Sequence, residues 1–347
     1  MPGRGHLAGV SAFQKLATAA LASVLLLIFV GAIVRVTGAG MGCPDWPTCW
    51  GCLIPPTSVD QVDFDALPIE RFQSKAERMG RDPSDITLES LREEFNPRHV
   101  WTEFINRLTS LPVGFLCLAT FIAAFGQMRC RPWIFVMAFA SLLVVLINAW
   151  LGARVVYSGL QPGVLTAHLA LAMALTGMLV FCAWGGCPTP WRKSMDELAL
   201  KHSRWWVTAL LVLVVVEGFL GAQVREMTDE LAKGHGDLPQ DASRSSWIGQ
   251  LEQSVIYLAH RSGSWLILLL TTWCWWHSRR HSPGNQAWPE HGVLAIVWTQ
   301  MALGVIMSQI HIYSWIQVLH VGLAAVLLSL LWLWRFGLSS PKKPQLP

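Results

Sequence analysis

Apolar residues in this chain gather into eight runs, separated by polar segments, at about 13–34, 104–126, 133–152, 163–184, 205–224, 254–276, 290–308 and 314–334. About 20 apolar residues in a helix cross the hydrocarbon core of a bilayer, so the pattern predicts an all-α membrane protein with eight transmembrane helices. The first run is too long for a signal peptide and lacks a small-residue cleavage site, so it reads as a span. Two of the intervening segments are long, about 36–103 and 226–253. Residues 37–56 are rich in Gly, Cys, Trp and Pro and predict an ordered, turn-rich cap. Residues 60–95 are charged, with helix-like stretches such as Leu88 to Phe95. They fit either a small helical hairpin or a partly disordered segment.

The runs also repeat. Gly31-Ala32-Ile33-Val34-Arg35 closes the first, and Gly221-Ala222-Gln223-Val224-Arg225, 190 residues later, closes the fifth. Asn106-Arg107 near the start of the second run is echoed by His260-Arg261 near the start of the sixth. Gly152 precedes His168 by sixteen residues, as Gly304 precedes His320. The chain therefore divides into two related halves, 1–200 and 201–347, expected to form two pseudo-symmetric four-helix bundles. Such a repeat implies one site per half, built from equivalent side chains.

Composition agrees with a membrane setting: 53% of the 347 residues are hydrophobic and 14% charged, against roughly 25% charged in soluble domains. Nineteen tryptophans, many near run ends, suit interfacial belts. Lys and Arg set the orientation. Arg129 and Arg131, Arg192, Lys193, Lys201 and Arg204, Arg279 and Arg280, and Arg335, Lys342 and Lys343 all fall on one side. The opposite short loops hold only Arg154. Both termini are then cytoplasmic and both long loops face outward. The net charge of +4 is this topology signal, and no basic patch points to nucleic acid.

Three histidines, His168, His260 and His320, lie a few residues inside their runs, each nearer the outward end. Ionisable groups inside spans are costly and face the bundle interior. One such histidine is as well explained by an interhelical hydrogen bond. Three at one depth in repeat-related places favour a metal, and His is both a common ligand and an axial haem ligand. The Met- and Trp-rich surroundings suit a porphyrin. Glu103, Asn106 and Arg107 share one helical face. Arg107 and Arg261 read either as interfacial snorkelling side chains or as partners of ligand carboxylates such as haem propionates. Glu103 reads either as a partner of Arg107 or as a proton-handling group beside a substrate. Cys43 and Cys49 flank Pro44-Asp45-Trp46-Pro47 in an outward loop, with Cys52 close behind. A disulfide and a zinc knuckle both stay open there.

Together these features resemble the haem A synthase family over nearly the whole chain. The resemblance rests on Gly31 to Gly38, on Gly42-Cys43-Pro44-Asp45-Trp46-Pro47-Thr48-Cys49, on Glu103-x-x-Asn106-Arg107, and on Leu151-Gly152, His168, His260-Arg261 and His320. It implies a multi-pass protein of the bacterial cytoplasmic membrane that oxidises the C8 methyl group of haem O to a formyl group, giving haem A for cytochrome oxidase biogenesis. It further implies a haem b held by His260 and His320, substrate haem O at His168, a functional role for Glu103 beside Asn106, and a Cys43–Cys49 disulfide. Its implied partners are haem O, the haem O synthase that supplies it, an unidentified electron-transfer protein and the lipid bilayer; a homo-oligomer is compatible with it.

Two departures stand out. Asn106 occupies the place where the family carries a span-2 histidine, leaving His168 facing an open position unless His99, two turns earlier, substitutes. The loop between spans 5 and 6 has no cysteine, whereas some family members carry a second pair there. The competing expectation is a non-catalytic b-type haem electron carrier or an oxidase assembly factor. A transporter fits less well, because the spans lack paired Gly/Pro interruptions.

Overall fold

The computed structural model describes residues 11–43, 45–78, 82–158, 160–234, 247–282 and 288–339. Pro44, Lys342 and Lys343 fall outside them. Regular structure among the described residues is helical, apart from one isolated bridge between Cys49 and Cys52.

Local sequence signals start the helices. Ser11 caps α1 (Ala12–Val36) by accepting from the Gln14 amide at 3.1 Å. Two short helices, α2 (Ile69–Arg78) and α3 (Leu88–Glu94), follow in the long loop. Asn96 caps α4 (Pro97–Ala124), and its side chain accepts from the Arg98 and His99 amides. Proline opens α4, α5 (Pro132–Tyr157) and α6 (Pro162–Gly185), where its missing N–H costs nothing. The longest helix, α7 (Glu197–Gly234), is followed by α8 (Ile248–Gln253) and by α9 (Val255–His281), which Ser254 caps. The chain ends with α10 (Trp288–Gln309) and α11 (Ser314–Gly337).

Seven helices, α1, α4, α5, α6, α7, α10 and α11, are long and apolar enough to cross a membrane. The sequence pattern predicts eight. The remaining one, α9, has 27 residues, but His260, Arg261, its Ser and Thr residues and its basic last turn dilute its apolar content. Large apolar side chains such as Phe115, Leu146, Leu269 and Trp298 are exposed on helix faces, as a lipid environment requires.

In the first half α1 packs on α4, α4 on α5, α5 on α6, and α6 back on α1. In the second half α7 packs on α9, α9 on α10, α10 on α11, and α11 back on α7. The two sets meet where α11 lies against α1 and α6. At the end away from the long loop, basic side chains bind helix C-termini. Arg131 donates to the Gly185 and Cys187 carbonyls at 2.6 and 3.0 Å, and Arg204 donates to that of Leu338. These contacts satisfy carbonyls that a helix end leaves open. Nearby, Lys193 in the linker between the halves meets Glu290 of α10 at 2.8 Å, both side chains fully buried. Ser278 of α9 donates to the same carboxylate at 2.7 Å.

Among the described residues the long loop carries the short helices α2 and α3. Trp50 organises it, its ring 5.3 Å from that of Phe95, 6.0 Å from Phe64 and 6.1 Å from Phe72. Leu67, Ala76, Ile86 and Leu91 bury against this cluster. The second long segment begins as helix, because α7 continues ten residues past its expected end to Gly234.

Candidate functional site

Three of the four echoed glycines, Gly31, Gly152 and Gly221, face a polar side chain of a neighbouring helix. A Cβ on Gly221 of α7 would stand 3.1 Å from Cε1 of His260, and one on Gly31 of α1 would stand 3.8 Å from Oδ1 of Asn106. A Cβ on Gly152 of α5 would stand 3.3 Å from Cε1 of His168. Gly304 departs from the pattern, with open space where its Cβ would be.

His168, His260 and His320 are the seventh, sixth and seventh residues of α6, α9 and α11. At about 1.5 Å of rise per residue all three lie about 8–9 Å inside their helices, at the end carrying the cap. Nδ1 of His168 is buried beside the Asn148 backbone without a completed hydrogen bond, and Nδ1 of His320 is buried without a partner. His320 lies within electrostatic reach of His260. Gln300 of α10 donates to its backbone carbonyl at 2.8 Å, which fixes that turn of α11. Among the described residues no three His, Cys, Asp or Glu side chains converge on one point. His260 with His320, and His168 by itself, are residues that would hold the iron of a porphyrin.

The cap is bolted to α4 by the pair that opens it. Glu103 is buried; its Oε2 accepts from the Cys43 amide at 2.7 Å and its Oε1 from Arg107 at 2.6 Å. Arg107 also donates to the carbonyls of Cys43, Asp45 and Thr48 at 2.9, 3.0 and 2.9 Å. A guanidinium engaged on four acceptors is an anchor for the loop. Cys43 and Cys49 form a disulfide, and Cys52 is a free thiol. Asp45 accepts from the amides of Trp50 and Gly51, closing the turn. Gly42 is required here, because a Cβ would lie 2.4 Å from the His99 carbonyl.

Asn106 lies one turn below Glu103, and its buried Oδ1 has no partner. His99, by contrast, is in the first turn of α4 beneath Gly42. That is about 10 Å along the helix from Asn106, so the two do not share a depth. Arg261 is exposed and makes no hydrogen bond or ion pair among the described residues.

Sequence reasoning missed two features. Glu217 of α7 lies with Oε1 3.0 Å from Nδ1 of His260, the ring turned off the ideal hydrogen-bond line, and Ser264 donates to the same oxygen at 2.6 Å. The available signal was an acid in an apolar run, one turn before the repeated Gly221. The second feature joins the repeat arginines: Arg35 and Arg225 both reach Asp229, at 3.4 and 3.0 Å, and Arg225 also donates to Gln317. Surface cavities open at both ends of the helices. One of about 450 Å³ is lined by Lys201, Arg204 and Arg335, twenty residues down α7 from Gly221. Another, of about 440 Å³, is framed by Ile33, Val36, Trp315 and Leu319.

Comparison with known proteins is consistent across the chain. A family model described as cytochrome oxidase assembly protein matches residues 14–332. A protein of Allorhizobium ampelinum named "Heme A synthase" is 25% identical over 306 residues, covering 82% of this chain and 78% of the relative. Another of that name from Nitrosomonas eutropha is 24% identical over 304 residues, 82% of each chain. A third, from Caulobacter vibrioides, is 27% identical over 337 residues, 89% of this chain and 90% of the relative.

Proposed function

Because this chain belongs to the cytochrome oxidase assembly protein family, we propose that it is a membrane-embedded haem A synthase, converting haem O to haem A by oxidising the C8 methyl group to a formyl group. The observation that carries this reading is the matched set of glycine notches. Gly31 packs against Asn106, Gly152 against His168 and Gly221 against His260, and His320 is within electrostatic reach of His260, which supports one site per half.

The reading takes α9 as the eighth span and the two closed sets of four helices as pseudo-symmetric bundles, residues 1–200 and 201–347. Both termini are cytoplasmic, so the arginines that bind helix C-termini lie on the cytoplasmic side of a bacterial membrane. His260 and His320 hold a haem b in the second half, and His168 holds the substrate haem O in the first. Bound haem supplies the redox chemistry, while the chain supplies position, polarity and access.

In the first half Asn106 faces the site from α4. It is a weak ligand but a competent hydrogen-bond partner for a small molecule there, and its unpartnered oxygen fits that role. Glu103, one turn higher, and Arg107, the residue after Asn106, hold the disulfide-closed cap over the site. Arg261, exposed beside His260, is the arginine free to meet a propionate. Haem O arrives from its synthase through the bilayer, and an electron-transfer protein exchanges electrons with the second half.

Asn106 is also the observation that favours the second reading, a non-catalytic b-type carrier or assembly factor, since it removes a ligand from the first half. Supplying haem O to wild-type protein and to His168→Ala, then separating the extracted haems, tests the assignment. Haem A from the wild type and none from the variant supports it; equal haem A from both overturns the role given to His168.

A further inference from the structure

The two halves differ in one respect that the repeat makes exact enough to compare residue by residue. Aligning Gly221 with Gly31 sets Glu217 of α7 against Leu27 of α1. Aligning His260 with Asn106 sets Gly263 and Ser264 against Thr109 and Ser110 of α4. The carboxylate and the glycine change together. A Cβ on Gly263 would lie 2.4 Å from Oε2 of Glu217, so a side chain at residue 263 would press on the end of the carboxylate and shift it. The first half has neither the acid nor the gap.

We infer that Glu217 is a positioning residue for His260, holding the Nδ1 edge of the imidazole so that its other nitrogen faces the haem of the second half. The inference rests on the haem b site proposed above. The contact is direct: Oε1 of Glu217 is 3.0 Å from Nδ1, and the Glu217 side chain is only 12% exposed. Ser264 donates to that oxygen at 2.6 Å and to the His260 carbonyl at 2.9 Å, tying the carboxylate to the turn that carries the ligand. An acid buried among apolar helices is costly without such partners.

A carboxylate on the far nitrogen of a ligating histidine fixes the ring and raises its basicity. A more basic ligand stabilises the oxidised iron, which lowers the reduction potential. Glu217 therefore makes the second-half haem a stronger reductant than an equivalent site without the acid. The first half, with Leu27 at the matching place, lacks this control. The asymmetry fits a division of labour in which one half delivers electrons and the other receives substrate.

The test uses the full-length haem-loaded protein in detergent or nanodiscs and reads the midpoint potential and the low-temperature EPR spectrum of the low-spin haem. Glu217→Gln keeps the shape and removes the charge. It is expected to retain haem b and a bis-histidine spectrum while shifting the midpoint upward and altering the EPR g-values. Glu217→Asp should restore part of the shift. Gly263→Ala, which keeps the acid but crowds it, should move the potential in the same direction, and Leu27→Gln should not move it. Unchanged potential and EPR in both Glu217→Gln and Gly263→Ala, with haem retained, overturns the positioning role and leaves the haem site standing. An intact bis-histidine spectrum in His260→Ala overturns the haem site itself. Should Glu217→Gln lose haem and fold together, Gly263→Ala decides.

Discussion

Replacing Glu103 with alanine should loosen the cap without dismantling the helices. The side chain is 3% exposed and bridges two groups: the Cys43 amide at 2.7 Å and the Arg107 guanidinium at 2.6 Å. Hydrogen bonds to charged groups are worth about 1.5–3 kcal/mol each, and truncating one partner of a buried ion pair costs about 3–5 kcal/mol. The lower part of that range applies, because Arg107 is 17% exposed and keeps three backbone carbonyls as acceptors. A local loss of about 2–3 kcal/mol follows, which corresponds to about 30- to 140-fold easier opening. Hydrogen exchange followed by mass spectrometry reads it directly: amides of residues 42–52 should exchange faster by that factor, while those of α6 and α11 stay protected. Glu103→Gln, which still accepts from Cys43, should fall between alanine and wild type. Unchanged exchange across residues 42–52 in Glu103→Ala would refute the brace and return Glu103 to a direct part in the chemistry.

Gly221→Val should displace His260 and abolish the low-spin haem spectrum, whereas Gly304→Val, which meets open space, should leave that spectrum intact; difference spectroscopy of the purified variants decides. Removing the Cys43–Cys49 bridge, a sequence separation of 6, should destabilise the cap by about 2 kcal/mol on loop-closure grounds, seen as faster proteolysis between residues 42 and 95. Glu290→Ala leaves the fully buried Lys193 without its carboxylate and should lower the protein's thermal midpoint and yield, at about 3–5 kcal/mol; an unshifted melting curve would contradict this. Reduced wild-type protein loaded with haem O should bind carbon monoxide at the first-half haem, and Asn106→His should remove that binding.

Most of the helical frame was legible because each long helix is one uninterrupted apolar run. The echoes at Gly31 and Gly221 read as a repeat, while the contacts these glycines make with Asn106 and His260 needed the packed helices. The remaining run, 254–276, was legible as a helix, but polar and charged residues such as His260, Arg261 and the basic last turn keep α9 below the apolarity of the other seven. The acceptors of Arg107 were not legible for a different reason. Charge and spacing show that a guanidinium sits at a membrane boundary, but its acceptors are backbone carbonyls 59 to 64 residues away in sequence. Residues 60–95 could not be assigned from local pattern, because their order comes from packing on Trp50, a tertiary contact. Glu217 was overlooked because an isolated acid in an apolar run looks like an exception until the neighbouring helix supplies His260 and Ser264.

Expression of this protein with a haem O source, in a host that makes no haem A, tests the central claim most directly. Chromatography of the extracted haems should show haem A formed at the expense of haem O, alongside retained haem b. Haem b with unchanged haem O would contradict the synthase reading and leave the chain as a b-type carrier.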